Sequence, residues 1–128
     1  MERESRYLEY KESVTRSFLK TISAYANYSG GKVIFGVTDN YKIVGIEHLK
    51  ESCEQIETMI NDNINPAPDY SMQVNSDNTI CVTVNEGLYK PYLYKNKAYK
   101  RNDSETIEVD RFEFNRLVMQ WQCRSESR

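Results

Sequence analysis

The sequence predicts a single α+β domain, a mixed β-sheet of about six strands with three helices. Three observations carry that expectation. Apolar residues recur at helical spacing in three separated segments, residues 14–26, 49–64 and 114–121. Between them lie short β-rich runs bounded by Gly, Asn, Asp and Pro. The order is strand, helix, two strands, helix, several strands and a last helix, which suits one mixed sheet with helices packed on it. A chain of 128 residues fits one domain and can bury roughly two-thirds of its unfolded surface.

Each element has its own local reason. "RYLEY" alternates and reads as a short strand. From Ser13 the period changes, and Val14, Phe18, Ile22, Tyr25 and Ala26 share a helical face. Gly30 and Gly31 stop that helix, because a left-handed C-terminal cap suits glycine. "KVIFGVTD" is the best strand in the chain, and a turn at Asn40 leads to a second strand, "KIVGI". Leu49, Cys53, Ile56, Ile60 and Ile64 mark a second amphipathic helix, which Pro66 and Pro68 end. Two further strands, "YSMQV" and "TICVTVN", flank a turn at Ser76-Asp77-Asn78. A tyrosine-rich stretch follows, then a helix with Phe114, Leu117, Val118 and Trp121 on one side. The domain is expected over 1–122. Residues 123–128 read as a polar tail that frays, at a boundary to a longer parent chain.

Composition narrows the function classes. No apolar run approaches the ~18 to 20 residues of a membrane span, and the N-terminus has no signal-peptide core, so a cytoplasmic protein is expected. Cys53, Cys81 and Cys123 are scattered with no CxxC pair, which argues against a disulfide framework or a zinc site. His48 is the only histidine, so any histidine-dependent nucleophilic mechanism would hang on it alone. The formal net charge is -2, which is no general attraction for nucleic acid. A local patch still acts, since charges beyond about 8 to 10 Å are screened at physiological salt.

Such a patch exists. "YKPYLYKNKAYKR", residues 89–101, holds four tyrosines and five basic residues and no acid. A hairpin turning at Asn96-Lys97 would pair Tyr94 with Tyr99 and Tyr92 with Arg101. One face would then carry Tyr92, Tyr94, Tyr99 and Arg101, and the other Leu93, Lys95, Ala98 and Lys100. Two explanations stand. The tyrosines pack over a helix while the lysines protect an edge strand from aggregation. Alternatively, Lys95, Lys97, Lys100 and Arg101 follow a phosphate backbone while Tyr92, Tyr94 or Tyr99 stacks on unpaired bases.

The acids form a second constellation. Alternation puts Val33, Phe35, Val37 and Asp39 on one strand face, with Asp39 at the rim of the core, unless Asp39 instead organises "TDN" as a turn aspartate. Glu4 and Glu9 converge only if Glu4 lies on a turn ahead of a strand carrying Glu9. Carboxylates at ~4 Å would repel by about 4 kcal/mol at an effective dielectric near 20. Such a cluster needs a divalent cation, a captured proton or a lysine, and Lys11 lies on the same strand face as Glu9.

"ESRYLEYKES", "TISAYANYSGGKVIFGVTDNYKIVGI" and "KPYLYKNKAYKRND" occur in that order between residue 4 and about residue 101. Together they resemble the Schlafen-type AlbA-like domain, a nucleic-acid-binding module often found at the N-terminus of bacterial transcriptional regulators. The resemblance implies an AlbA-like α+β lobe that binds DNA or RNA. Lys95, Lys97, Lys100, Arg101 and the neighbouring tyrosines would form the nucleic-acid contact, and Asn27, Gly30 and Gly31 would shape the loop beside Asp39. Some eukaryotic relatives cleave structured RNA at a metal-bound three-carboxylate site. Carried over, those acids are Glu4, Glu9 and Asp39, with Lys11 matching the family lysine and Mg²⁺ or Mn²⁺ as cofactor. Whether this chain is an enzyme stays open, and a metal-dependent ribonuclease is the alternative reading. A protein-interaction or assembly domain is a third. The nuclease relatives join two lobes around an RNA channel, so a homodimer is one way to rebuild it. Asn102-Asp103 departs from the family glycine after the arginine. No G-x-x-x-x-G-K-[ST] occurs, and Gly30-Gly31-Lys32 lies between a helix and a strand, so ATP is not expected.

Overall fold

A computed structural model describes the backbone of residues 1–126 and the side chains of residues 1–120. Its central sheet has four strands: β1 (Leu8–Lys11), β2 (Gly31–Phe35), β4 (Tyr70–Val74) and β5 (Ile80–Val84). They lie in the order β1-β2-β5-β4, with β1 parallel to β2 and the other neighbours antiparallel. A 3-10 turn (Arg16–Phe18) and α1 (Leu19–Asn27) connect β1 to β2, and α2 (Leu49–Asn63) lies between β2 and β3 (Ile64–Asn65). Two small ribbons complete the strands. β3 pairs with β6 (Leu93–Tyr94), and β7 (Tyr99–Asn102) pairs with β8 (Glu105–Glu108). The last helix is α3 (Arg111–Glu126). The predicted polar tail overlaps its final turn and ends in residues outside the described structure, as do the side chains of Trp121 and Cys123.

The sheet follows from alternation. Val33, Phe35, Ile80, Val82 and Val84 point to one face and are buried with Phe18, Ile22 and Tyr25 of the α1 region and Ile56 and Ile60 of α2. Both helices therefore cover one face, while Lys32, Ser71 and Gln73 are exposed. Helices on one side of a largely antiparallel sheet make the expected α+β class. Among the described residues there are eight strands where about six were expected, because the two-residue β3 and β6 are too short to leave a periodic trace.

Every residue of α1 except Lys20 is buried. The sheet lies on one side of it, and β6 and β7 pack on others. Polar residues in this helix must therefore find internal partners.

Two expectations change at Gly36. The strand "KVIFGVTD" ends at Phe35, and Gly36 takes φ +106°, where a Cβ would stand 3.0 Å from Gly45 Cα. The N–H groups of Gly36 and Val37 both donate to Lys11 O, a two-for-one arrangement that bends the strand as a bulge does. The predicted "KIVGI" strand is consequently reduced to one bridge, Val37 with Ile43. The tyrosine-rich hairpin shifts by one residue. Its turn is Lys95-Asn96, both at positive φ, with reciprocal bonds between Tyr94 and Lys97 of 2.9 and 3.0 Å. Tyr94 thus opposes Lys97 rather than Tyr99.

Candidate functional site

The C-terminal half of α1 is the anchor to which distant segments attach. Asn27 is fully buried, donates from Nδ2 to Tyr92 O at 2.9 Å, and accepts at Oδ1 from Tyr92 N at 2.6 Å. One amide thereby satisfies both polar groups of a backbone unit, as a neighbouring strand would. Ser23, one turn earlier, donates to the same carbonyl at 2.7 Å and accepts from Tyr99 N at 3.2 Å. These bonds fix the path of 92–99 across the helix. Gly30, at φ +80°, donates to Tyr25 O at 3.0 Å and closes the helix end. A Cβ on Gly30 would lie 2.7 Å from Val84 O, and one on Gly31 would enter the Tyr25 ring.

Below this anchor is a buried ion pair. Glu9 lies on the core-facing row of the sheet, beside Val33 and then Val82, and is 7% exposed. Arg101 of β7 is 8% exposed and donates from Nη1 to Glu9 Oε1 at 3.0 Å. Its remaining inward bonds run to Thr106 Oγ1 at 3.1 Å, Ser5 O at 2.6 Å and Leu8 O at 3.1 Å. Thr21 donates to Glu9 Oε1 at 3.1 Å and shares a 2.7 Å bond with Thr106. Burial raises the Glu9 pKa above the carboxylate value, an effect that Lys11, Arg101 and the Thr21 hydroxyl oppose. Arg101 thus ties the N-terminal segment, β1 and the β7–β8 ribbon together, and its charge is spent inside the protein.

The other acids are placed differently. Lys11 Nζ stands 3.9 Å from Glu9 Oε2 and donates to Ser17 Oγ at 3.0 Å. Glu4 lies ahead of β1 and accepts from Tyr10 N at 2.9 Å, so it caps the chain's entry to the strand. Asp39 is exposed in the turn that follows the Gly36 bulge, where Tyr41 N donates to Thr38 O at 2.9 Å. The bulge ends the alternation that would have carried Asp39 along the core row. Among the described residues no three His, Cys, Asp or Glu side chains come together to hold an ion. Glu4, Glu9 and Asp39, with Glu9 held by Arg101 and Thr21, do not fit a divalent-cation site in this arrangement.

The basic, tyrosine-rich stretch divides by depth. Tyr92 and Tyr94 belong to the main core, and Tyr99 packs against it with its ring centroid 6.4 Å from that of Tyr94. The Tyr92 hydroxyl accepts from Tyr89 N at 3.1 Å. Lys95 and Lys97 are exposed at the turn. Lys95 Nζ sits 5.4 Å from the Tyr94 ring centroid and pairs with no carboxylate among the described residues. Lys97 makes only a solvent-exposed pair with Glu108 at 3.6 Å. Lys100 is half-buried and bonds to Glu113 of α3, which also accepts from the Tyr28 hydroxyl at 2.9 Å. That lysine bond holds the Glu113 carboxyl below its ordinary pKa.

Sequence reasoning missed Thr21, Ser23, Thr106 and Glu113. The first two had a signal, since "TISAYAN" puts polar residues in a helix whose every side is covered. That signal becomes readable only when α1 is known to have no solvent face. Thr106 and Glu113 had none, because each joins a cation nearby in the chain, Arg101 or Lys100, to a side chain 85 residues away, Thr21 or Tyr28.

Among the described residues no helix is long and apolar enough to cross a membrane. No curated protein matches the sequence. Among solved structures, the DIP2311 protein of Corynebacterium diphtheriae is similar at 17% identity and a TM-score of 0.66, over 88% of this chain and 23% of that one. This chain therefore spans about a quarter of that protein. The N-terminal domain of a RecG-related protein from Nitrosomonas europaea is similar at 19% identity and a TM-score of 0.58, over 85% of this chain and 83% of that one. Both likenesses are of fold. The Schlafen, AlbA_2 family matches residues 4–110. That match spans the strand of Glu9, the α1 anchor and the Arg101 ribbon, and the chain belongs to the Schlafen, AlbA_2 family.

Proposed function

We propose that this chain is a nucleic-acid-binding module of a transcriptional regulator or nucleic-acid-processing protein, and that the turn between β6 and β7 is part of its contact surface. The observation that carries this reading is the exposure of Lys95 and Lys97 on a turn whose rings and arginine are internal. A slightly acidic protein holds two outward cations on a framework pinned by Asn27, Ser23 and Arg101. Family membership supports it, as does the likeness to a domain whose parent is named for its relation to the ATP-dependent DNA helicase RecG.

In this reading Lys95 and Lys97 neutralise phosphates, with Lys100 as a reserve that must leave Glu113 to take part. Arg101 supports the surface from below, and Tyr92, Tyr94 and Tyr99 are the floor on which the turn rests. The ribonuclease alternative depends on Glu4, Glu9 and Asp39 acting together. Their arrangement favours the binding reading over it.

The test is equilibrium binding of labelled DNA and RNA, single-stranded and structured, to wild type and to the Lys95→Glu/Lys97→Glu variant. Both positions are exposed, so the fold is expected to persist. The variant should bind about tenfold or more weakly near 0.1 M salt. Wild type that binds none of these nucleic acids at low salt would end the proposal, and an unchanged affinity in the variant would remove the turn from the surface.

A further inference from the structure

A polar groove crosses the end of α1, and none of the tyrosine-rich turn's exposed lysines line it. One part is a cleft of about 400 Å³ between α1 and the β7–β8 ribbon, walled by Arg6, Tyr28, Lys100, Asn102 and Ile107. The other is a depression of about 390 Å³ over β2 and β5, bordered by Glu2 at one edge and by Tyr7, Lys32, Thr83 and Asn85. Ser29 and Gly30 line both, so the two adjoin at the end of α1.

The groove has the features of a nucleotide site. Arg6 and Lys32 are exposed cations, one bordering each part, and neither makes a salt bridge among the described residues. Tyr7 is 52% exposed and presents a ring at the second part. Tyr28 is half-buried, and its hydroxyl is held by Glu113, which also holds Lys100. A ring and an ammonium on the cleft wall are therefore fixed by one carboxylate before any ligand arrives, and pre-fixed groups lose little freedom on binding. The end of α1 borders both parts through Ser29 and Gly30, and the negative end of its dipole disfavours anions there. A phosphate is thus disfavoured at the helix end and favoured at the Arg6 and Lys32 rim. A base, flat and uncharged, suits the wall that Tyr28 forms beside that helix end.

We infer that this groove binds an unpaired nucleic-acid strand, with a base against Tyr28 and phosphates at Arg6 and Lys32. The inference rests on the nucleic-acid reading and adds a strand class and a place to it. A paired base presents only its edges and cannot lay its face on a ring, so duplex is excluded from the cleft. The cleft volume lies within the range of small-ligand sites, enough for one base rather than a helix.

The experiment measures binding of a single-stranded oligonucleotide carrying 2-aminopurine, and of the same oligonucleotide annealed to its complement. Anisotropy reports affinity, and quenching of the 2-aminopurine reports stacking. The proteins are wild type, Arg6→Glu/Lys32→Glu, Tyr28→Leu and Lys95→Glu/Lys97→Glu, each checked for an unchanged melting transition. Wild type should prefer the single strand and quench the probe. The Arg6→Glu/Lys32→Glu variant should bind about ten- to hundredfold more weakly, and Tyr28→Leu should lose the quenching. If Tyr28→Leu fails to fold, Tyr28→Phe with Glu113→Gln loosens the ring while keeping it, and quenching should fall there too. Equal binding of duplex, or full affinity in Arg6→Glu/Lys32→Glu, overturns the groove and leaves the nucleic-acid reading standing. No binding of either form by wild type overturns both.

Discussion

Arg101 shows how one side chain can serve a surface without being on it. Its guanidinium bonds to Glu9, Thr106 and the carbonyls of Ser5 and Leu8, so one residue of β7 closes a gap between segments more than ninety positions apart. A planar donor with several N–H groups suits this role, whereas lysine would supply a single point of attachment. The cost is that both charges leave water, so the pair is worth little in itself but much when broken. Arg101→Ala should destabilise the fold by about 3 to 5 kcal/mol, because it strands the Glu9 carboxylate in the core. Arg101→Met with Glu9→Leu should recover most of that loss. Urea denaturation of wild type and these two variants checks both statements, and an Arg101→Ala protein within about 1 kcal/mol of wild type would show that the pair is not what joins these segments.

At the scale of elements, α1 is the piece on which the rest is assembled, and it does so with polar groups inside an apolar shell. Asn27 and Ser23 receive the chain at Tyr92 and Tyr99 as a strand edge would. Asn27→Ala leaves the Tyr92 N–H without its partner in a dry site, at a cost of about 1 to 3 kcal/mol. Hydrogen exchange should locate the damage. The Tyr92 amide should lose protection while the amides of β2 and β5 keep theirs, and equal loss everywhere would mean that Asn27 acts on the whole core. The same element explains which features the sequence made legible. β2, β5 and α2 were readable because burial on one face imposes a period, and Gly30 was readable because a helix end demands a positive φ. The Gly36 bulge was not. A glycine inside an apolar run looks the same whether the strand continues or bends, and the bend depends on Lys11 from another strand. Alternation alone put Asp39 at the rim of the core for that reason, whereas the reading of "TDN" as a turn puts it where it lies. The turn was misjudged by one residue because Lys95-Asn96 lacks the glycine that ordinarily marks a type I′ loop. Arg101 looked like a surface cation because its partner, Glu9, is 92 residues away.

For the whole molecule the proposed function poses the question of how a protein with a net charge of -2 would hold a polyanion. Its cations and acids are unevenly spread. Lys95 and Lys97 project from the turn, and Arg6 and Lys32 flank the groove, whereas the exposed side of α2 carries Glu51, Glu54, Glu57 and Asp62. Two length scales then compete. At 0.15 M salt the Debye length is about 8 Å, so a bound strand feels mainly the cations it touches. At 0.01 M it is about 30 Å, comparable to a small domain, and the acids of α2 act on the strand as well. Counterion release with about four phosphate contacts gives a slope of log K against log salt near -3 for a single strand. That slope should hold near physiological salt and flatten toward 0.01 M, where distant repulsion offsets further gain. Replacing Glu51, Glu54 and Glu57 with glutamine should restore a straight line at low salt and leave affinity near 0.15 M almost unchanged. Titrations across that salt range with both proteins decide the matter. A line that stays straight in wild type would mean that the acidic helix lies too far from the strand, or too well screened, to be felt.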